Sequence, residues 1–410
     1  MPYDLILKNA TVIDPSQNIN AIIDVAIQDG IIKNVAQSII EPAKETIDLT
    51  GKILTPGWID IHAHVFAGAT TWGIQADALC LATGVTTVVD AGSPGWANFI
   101  AFHDFIAAPA RTQILTFVHI SGIGLTYGPL GEMQDIRYAD PERTAFVVHN
   151  WPDTCVGIKV RQAIGQVGDN GVEPLKLAVR AAEMTDTPVM VHIGNGVPVS
   201  SVINELRSGD IITHCYRGGG DTTLGDTILN DQNIIRPEVQ QARQKGILFD
   251  VGHGGGSFLF ETAKQALTQD FLPDVISTDL HSGSLNSPVY SLPETASKLL
   301  NLGIELPDIV RQTTTAAAAA IGRDDHLGTL KVGTVADLAA FEIQEGEFQY
   351  HDVRDNLEVG RKNIQPFLTV RAGKVYHPND LKAELEETFG RARQIRALVS
   401  RRFNDLGWTP

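Results

Sequence analysis

Residues 56–65 read PGWIDIHAHV, and this short run predicts how the chain folds. The opening Pro-Gly pair is typical of a turn, and the residues after it alternate as in a β-strand. On a strand of period two, Asp60, His62 and His64 share one face and the isoleucines share the other. Two imidazoles on one face favour metal binding. Polar residues that only satisfy hydrogen bonds at a strand end are the alternative.

The segments that follow extend this pattern into a whole fold. Apolar runs typical of strands alternate with helical patterns such as 173–185 and 237–246. Eight strands alternating with helices predict an α/β fold, a (β/α)8 TIM-type barrel, for which about 250 residues are typical. A doubly wound open sheet is the alternative. The predicted strands lie near 57–62, 86–91, 113–120, 156–161, 188–193, 210–215, 247–252 and 275–280.

Both ends of the chain are rich in short β-type runs. Asp-Gly at 29–30 and Ala-Gly at 372–373 lie between apolar runs and indicate hairpin turns. We therefore predict that the two ends form one small β-sandwich domain beside the barrel. A C-terminal helical extension would pack on the barrel or on a partner subunit. The predicted units are 1–54 with 328–380 for the sandwich, 55–327 for the metal-binding barrel and 381–410 for the extension.

Composition limits the classes of function. The chain has 410 residues and a formal net charge of −16, which argues against nucleic acid and anionic membranes as partners. There is no run of 18 apolar residues, and the first residues lack the pattern of a signal peptide. The three cysteines form neither a zinc spacing nor a disulfide framework. We expect a cytoplasmic homo-oligomer that acts on a small molecule and binds neither nucleic acid nor membrane.

Metal-capable side chains recur where the predicted strands end, and barrel chemistry occurs at that end. Each has an ordinary explanation alone, such as a loop hydrogen bond or a helix cap. A lysine inside an apolar strand is harder to explain, because a buried ammonium must be paired, deprotonated or modified. Taken together, the set favours a metal centre. Its members are His62, His64, Lys159, His192, His214 and Asp279.

This ordered set, with PGWIDIHAH and the later run GTLKVGTVADLAAFE at 328–342, resembles the amidohydrolase superfamily over nearly the whole chain. The resemblance implies two divalent ions per chain, with zinc expected and manganese, iron or cobalt as alternatives. It implies that His62, His64 and Asp279 bind one ion, and that His192 and His214 bind the other. It also implies that Lys159, N-carboxylated by carbon dioxide, bridges both ions together with a hydroxide.

The same resemblance implies a hydrolase. The bridging hydroxide would attack an amide or ester carbonyl of a small, carboxylate-bearing substrate, and Asp279 would carry the proton to the leaving group. The nearest group is a bacterial one labelled dihydroorotase-like or adenine-deaminase-like, and it includes deacetylases of acylated α-hydroxy and amino acids. Dihydroorotases usually place an Arg after the His pair, where this chain has Val65 and Phe66. Dihydropyrimidinases tend to place a Tyr after the bridging lysine, where this chain has VRQAIG.

Several other functions remain open at this stage. Cyclic-amide hydrolases of the dihydroorotase or hydantoinase type are the first alternative, and an adenine-deaminase-type hydrolase is the second. A metal-free barrel that serves as an assembly protein would be a non-enzyme alternative, but it predicts lost ligands. A barrel isomerase or aldolase with Lys159 as a Schiff base would leave four histidines unexplained.

Residues next to the ligands are candidates for contacting the substrate. Arg161 follows Lys159 by two positions, so it should share the inward face and could bind a carboxylate; an internal ion pair is the alternative. The loops at 216–220 and 253–256 are glycine-rich and could offer backbone N–H groups to an anion, or could simply be tight. Asp60 could orient an imidazole or bond a loop. The substrate candidates are Arg161, Tyr216, His253, Gly254, Gly255 and His281.

Overall fold

The computed structural model describes residues 2–128, 130–218, 225–285 and 287–400, and within these ranges it contains two β-sheets with helices between their strands. The strands are β1 Tyr3–Asp14, β2 Ile19–Gln28, β3 Ile31–Ala36, β4 Ala43–Asp48, β5 Ile53–Pro56, β6 Trp58–Ala63, β7 Val85–Gly95, β8 Gln113–His119, β9 Cys155–Gln162, β10 Val189–Ile193, β11 Ile211–Thr213, β12 Leu248–Asp250, β13 Leu338–His351, β14 Leu357–Arg371 and β15 Lys374–Tyr376. The helices are α1 Asp77–Leu81, α2 Phe99–Phe102, α3 Pro141–Asn150, α4 Ile164–Val167, α5 Glu173–Thr185, α6 Val199–Glu205, α7 Pro237–Gln244, α8 Phe260–Leu267, α9 Leu292–Asn301, α10 Leu306–Thr313, α11 Thr315–Ala320 and α12 Lys382–Ser400.

The central sheet is parallel and follows the order of the chain. Its seven strands, β6 to β12, each pair with the next one along the sequence. Single parallel bridges join Asp250 to Val275 and Ala63 to Leu280, so segment 275–280 touches both outer strands of this curled sheet. Helices α5 and α7 lie where the sequence predicts them. The α/β class is therefore confirmed for the described residues.

Segment 275–280 does not form the regular strand that the sequence predicts. Asp279 has a left-handed φ of 49°, which interrupts an extended backbone. Thr278 instead donates from its backbone N–H to the Asp60 side chain, at 3.1 Å. Strands β11 and β12 also end earlier than predicted, because His214 and Gly252 adopt φ values of 71° and 46°.

The two ends of the chain pair into one mixed sheet. Its order is β15-β14-β13-β5-β1-β2-β3, and β4 pairs with β1. Both predicted hairpins are present, since β2 and β3 pair antiparallel across Asp29-Gly30, and β14 and β15 pair across Ala372-Gly373. Aliphatic side chains such as Leu7, Val25 and Leu338 form its own buried cluster. The closure of this sheet as a sandwich, and the domain boundaries, stay predictions.

Apolar side chains fill the amino-terminal half of the parallel sheet. Ile59, Phe117 and Met190 belong to one buried cluster, which also contains Ala317 and Ala318 of helix α11. Metal-capable side chains such as His62, Lys159 and His192 lie in the carboxyl-terminal halves of their strands, beyond this cluster. Burial of this kind contributes about 25 cal/mol for each Å² of apolar surface.

A bulge changes the faces of strand β6. Its pairing with β7 shifts register between Asp60 and Ala63. Ile61 packs in the inner cluster, whereas Asp60 lines a small cavity with Ala63 and Leu79 on the helix side of the strand. The expected common face is therefore wrong for Asp60, because the extra residue of a bulge inverts the alternation beyond it. His62 and His64 do point to a common centre.

The C-terminal extension begins as the helix that the sequence predicts. Helix α12 packs through Leu385 against Ala78 and Leu81 of α1. The last ten residues of the predicted extension, 401–410, lie outside the described residues. Among the helices of the described ranges, none combines the length and the apolar character needed to cross a bilayer.

Candidate active site

Two histidines and a carboxylate meet at the carboxyl end of the parallel sheet. The Nε2 atoms of His62 and His64 lie 3.4 and 3.1 Å from Oδ1 of Asp279. One possible ligand atom from each of these residues lies within 4.8 Å of the other two. Two imidazoles and one carboxylate are a donor set that zinc and related divalent ions prefer. The residues present therefore fit a metal ion.

A second pair of histidines adjoins the first group. His214 Nε2 lies 2.7 Å from His192 Nδ1, and the His214 ring centre is 5.1 Å from that of His62. His214 Nδ1 lies 2.6 Å from the carbonyl oxygen of Gly252, which fixes the orientation of the ring. His214 and Asp279 both have left-handed backbones. Such conformations are uncommon outside glycine and cluster at functional sites.

Lys159 adjoins His62. Its side chain is fully buried, and Nζ is 3.4 Å from Nε2 of His62. Burial lowers the pKa of the Lys159 ammonium to about 7, although the carboxylates of Asp279 and Asp250 oppose the shift. Burial therefore favours the uncharged amine, which is the form that reacts with carbon dioxide.

Burial holds the histidines of the site in their neutral form. Burial is the main cause that lowers the pKa of His62, His64 and His192 well below the ordinary value, and the nearby cations add to it. The pKa of His214 falls to about 4 for the same reason. A neutral imidazole has a free lone pair, and that is the form that binds metals.

The structure thus brings together every side chain that the sequence predicts as a metal ligand. The two histidines of the HAH motif lie at the end of β6, Lys159 and His192 lie within β9 and β10, His214 directly follows β11, and Asp279 lies in segment 275–280. Lys159 contacts His62, His62 contacts both Asp279 and His214, and His214 contacts His192. Their role as ligands stays a prediction.

Arg161 faces inward, as predicted, but it is already paired. Its Nε donates to Oε1 of Glu132 at 2.8 Å, and Nη2 donates to Oε2 of the same carboxylate. Nη2 also donates to the carbonyl oxygen of Gly128 at 3.2 Å. Burial of Glu132 would raise its pKa, yet Arg161 and His119 hold the pKa at about 2. The internal ion pair, which the sequence left open, is therefore present.

An aromatic wall flanks the ligand set. The ring of Trp72 lies 5.6 Å from that of His64 and 5.3 Å from that of His281, centre to centre. The Arg161 guanidinium lies 4.9 Å from the Trp72 ring centre. His281 therefore faces the mouth of the site, as predicted, and burial lowers its pKa to about 4. Trp72 had no sequence signal, because it lies in an irregular loop before α1.

Two predicted substrate contacts point elsewhere. Tyr216 is fully buried, and its hydroxyl donates to the carbonyl oxygen of Phe271 at 2.8 Å. His253 is also fully buried, stacks on Phe258 and places Nε2 2.9 Å from Nζ of Lys298. The prediction that these two residues contact the substrate is wrong, because both anchor their loops in the core. The alternation of a strand does not determine where side chains in such loops point.

The glycine loops are only partly available to a substrate. Gly254 donates its N–H to the carbonyl oxygen of Thr278 at 2.8 Å, so it cannot hold an anion. A Cβ at Gly254 would lie 2.2 Å from Oδ2 of Asp279, so this glycine leaves room for the carboxylate. Gly255 is exposed beside the His281 ring and stays a candidate. Gly219 and Gly220 of the other loop lie outside the described residues.

Asp60 does not orient an imidazole. Its carboxylate accepts from the backbone N–H groups of His62 and Thr278, at 3.3 and 3.1 Å, and from the Thr278 hydroxyl. The loop hydrogen bond is therefore the correct alternative. The residues that do contact the imidazoles were missed. They are Thr213 and Ser93, and the carboxylates behind them are Asp250 and Asp90. Their position at strand ends was the available signal.

Comparison with known proteins relates this sequence to a protein family. Residues 260–375 match the model described as "Amidohydrolase family". A protein of Enterococcus faecalis named "Deacetylase" is 35% identical over 384 residues, which cover 92% of this chain and 100% of that protein.

Solved structures agree with this match. The structure titled "Crystal structure of an adenine deaminase" is 34% identical with a TM-score of 0.85, and the match covers 92% of this chain and 100% of that one. The structure titled "Crystal structure of a dihydroorotase" is 31% identical with a TM-score of 0.84, and the match covers 91% and 97%. The three names differ in substrate, so likeness alone does not choose one.

Proposed function

The chain belongs to the amidohydrolase superfamily, in its deacetylase-like group, and on that basis we propose that it removes an acyl group from a small carboxylate-bearing amide or ester. Family membership makes the chain a metal-dependent hydrolase. The observation that carries the proposal is the gathering of His62, His64, Lys159, His192, His214 and Asp279 at one end of the sheet. A metal-free assembly protein or a Schiff-base enzyme would need no such gathering.

The proposed cofactors are two zinc ions and a carboxylated lysine. His62, His64 and Asp279 would hold one ion, His192 and His214 would hold the other, and the Lys159 carbamate would contact both. When bound, the ions polarise the substrate carbonyl and lower the pKa of water from about 16 to about 7. An unmodified ammonium at Lys159 would repel both ions, so the carbamate is the form that suits this position.

Asp279 is the proposed proton carrier. Its side chain is about 13% exposed, so one edge faces the mouth while Oδ1 faces the two histidines. The carboxylate would accept the proton of the attacking water and release it to the leaving nitrogen or oxygen. Such positioned transfers contribute about 10²- to 10⁴-fold to a rate. The space that Gly254 leaves beside Oδ2 supports this freedom of the carboxylate.

Arg161 and the aromatic wall are the proposed binding surface for the rest of the substrate. The third guanidinium nitrogen of Arg161, Nη1, has no hydrogen-bond partner among the described residues. It could donate to a substrate carboxylate while Glu132 fixes the other two nitrogens. Trp72 and His281 would exclude water from the same side of the site.

A hydrolysis screen tests this function. The metal-loaded protein is given N-acetyl and O-acetyl α-acids of both hands, together with dihydroorotate, hydantoins and adenine. Preferred release of acetate supports the proposal. Turnover of none of the acetylated acids, with rapid turnover of a ring substrate, contradicts it.

Cyclic-amide hydrolysis is the second candidate. The likeness to the structure titled as a dihydroorotase supports it, and the Val65-Phe66 pair, where dihydroorotases usually carry an Arg, argues against it. Deamination of adenine has comparable support from the other structure. Both activities are read out by the same screen.

Replacing Arg161 tests the carboxylate anchor. We expect the double variant Arg161→Met with Glu132→Gln to raise KM for acidic substrates about 10- to 100-fold, since a hydrogen bond to a charged group contributes about 1.5–3 kcal/mol. Removing both partners avoids an unpaired buried carboxylate, which would itself cost about 3–5 kcal/mol of stability. Steady-state kinetics measures the change.

The control is Glu132→Gln alone, which keeps the guanidinium. Its KM for acidic substrates should stay close to that of the parent protein, and neutral amides should be unaffected by either variant. An equal rise of KM for neutral and acidic substrates would remove Arg161 from the binding site.

The proposal also covers the barrel, the second domain and the assembly and location of the protein. Segment 275–280 would act as the eighth member of a (β/α)8 barrel, which the bridges from Asp250 and Ala63 support. The sheet of the chain ends would form a sandwich domain. The protein would act on small molecules as a homo-oligomer in the cytoplasm, and its three unpaired cysteines support a reducing compartment.

A further inference from the structure

The two histidines of the HAH motif are held from behind by hydroxyl groups. Nε2 of each ring faces Asp279, so Nδ1 is the atom on the opposite edge. Nδ1 of His62 lies 2.9 Å from Oγ1 of Thr213, and that hydroxyl donates to Oδ2 of Asp250 at 2.7 Å. Since the Thr213 hydroxyl has one proton and gives it to a carboxylate, the bond to His62 requires a proton on Nδ1.

The carboxylate at the end of this chain is itself fixed. Ser277 donates its hydroxyl proton to Oδ2 of Asp250 at 2.8 Å. The N–H of Gly252 donates to Ser277 Oγ at 3.1 Å, which directs the Ser277 proton toward the carboxylate. Thr213 and Asp250 are direct partners in the pairing of β11 with β12. Strand register, rather than a flexible loop, therefore sets the distance between them.

Gly252 makes room for this arrangement. A Cβ at this position would lie 2.2 Å from Oγ1 of Thr213 and 3.1 Å from Nδ1 of His62. The Gly252 backbone is left-handed, with a φ of 46°. A larger residue would therefore push the hydroxyl away from the imidazole.

A comparable contact lies behind the second histidine. Nδ1 of His64 is 3.0 Å from Oγ of Ser93. The backbone N–H of Ser93 donates to Oδ1 of Asp90 at 2.6 Å, and the N–H of Val65 donates to Oδ2 at 2.7 Å. His64, Ser93 and Asp90 are all buried. Each imidazole of the motif thus has one buried hydroxyl at Nδ1, next to one buried carboxylate.

We propose that Thr213, backed by Asp250, is a positioning residue that holds His62 with its proton on Nδ1 and its Nε2 lone pair toward the metal, and that Ser93 orients the ring of His64 through its contact with Nδ1. The inference rests on the proposed metal centre and adds to it the groups that fix the tautomer. Partners of this kind commonly change metal affinity by about 10- to 100-fold when they are removed.

The matched pair Thr213→Val and Thr213→Ser tests the positioning role of the Thr213 hydroxyl. Valine keeps the shape and removes the hydroxyl, whereas serine keeps the hydroxyl. Competition with a chelator gives the dissociation constant for zinc, and visible absorption of the cobalt form reports the geometry of the ligands. We expect Thr213→Val to bind zinc about 10- to 100-fold more weakly and to shift the cobalt spectrum. Thr213→Ser should stay close to the parent protein in both.

Two results would overturn the positioning role of Thr213. One is parent-like zinc affinity in Thr213→Val, and the other is an equal loss in Thr213→Ser, which would make packing rather than the hydroxyl responsible. If Thr213→Val does not fold, Ser93→Ala gives the same measurement at His64. A parent protein that binds no zinc would instead contradict the proposed metal centre itself, so the two failures are distinguishable.

Discussion

Lys159→Ala is expected to lose more than about 10³-fold of the hydrolytic rate, because it removes the group that would join the two halves of the metal centre. Loss of one electrostatic stabiliser of a reaction already costs about 10²- to 10³-fold, and this residue would also hold both ions. The side chain is buried beside His62 and has no surface role that alanine could disturb. Short carboxylic acids such as formate or acetate should restore part of the rate, since they can occupy the space that the carbamate leaves.

The matched control is Lys176→Ala on helix α5. Lys176 is half-exposed and pairs with Glu173 at the surface, and exposed pairs contribute little to stability. Its rate should equal that of the parent protein. Full activity of Lys159→Ala, without any added acid, would contradict the bridging role.

Asp279→Asn is expected to lower kcat by about 10²- to 10⁴-fold, the range that positioned proton transfer contributes. An amide cannot accept the proton of the attacking water, and it is a weaker ligand than a carboxylate. We therefore also expect zinc at the His62 and His64 site to bind more weakly. The rate is measured at saturating zinc, so that loss of metal and loss of proton transfer are separated.

Asp270→Asn provides the control for this substitution. Asp270 is exposed and has a left-handed φ of 57°, close to the 49° of Asp279. Asparagine tolerates such a backbone, so neither change should strain the chain. A kcat that is unchanged in Asp279→Asn at saturating zinc would exclude this carboxylate from proton transfer.

Regular alternation explains which parts of the site could be predicted. Lys159 and Arg161 lie on one strand, two residues apart, and both point inward as period two requires. His192 lies near the end of β10 and His214 directly follows β11, so their meeting at one end of the sheet follows from parallel strand order. The sequence was sufficient for these residues because regular backbone determines where each side chain points.

Irregular backbone explains the errors. The bulge in β6 places Asp60 and His62 on opposite faces of the strand, and nothing in the sequence PGWIDIHAHV indicates an extra residue. His253 and Tyr216 lie in loops, where burial against Phe258 and Phe271 decided their direction. Glu132 is 29 residues from Arg161 in the chain. A partner from a distant loop leaves no local pattern, so the sequence alone cannot distinguish an ion pair from a free guanidinium at Arg161.

Anomalous X-ray diffraction from crystals of the zinc-loaded protein would locate the two proposed ions. We expect two zinc peaks per chain, one among His62, His64 and Asp279 and one against His192 and His214, with density for a carboxylated Lys159 between them. No peak at these residues, or a Lys159 side chain that turns away from both ions, would contradict the proposed metal centre.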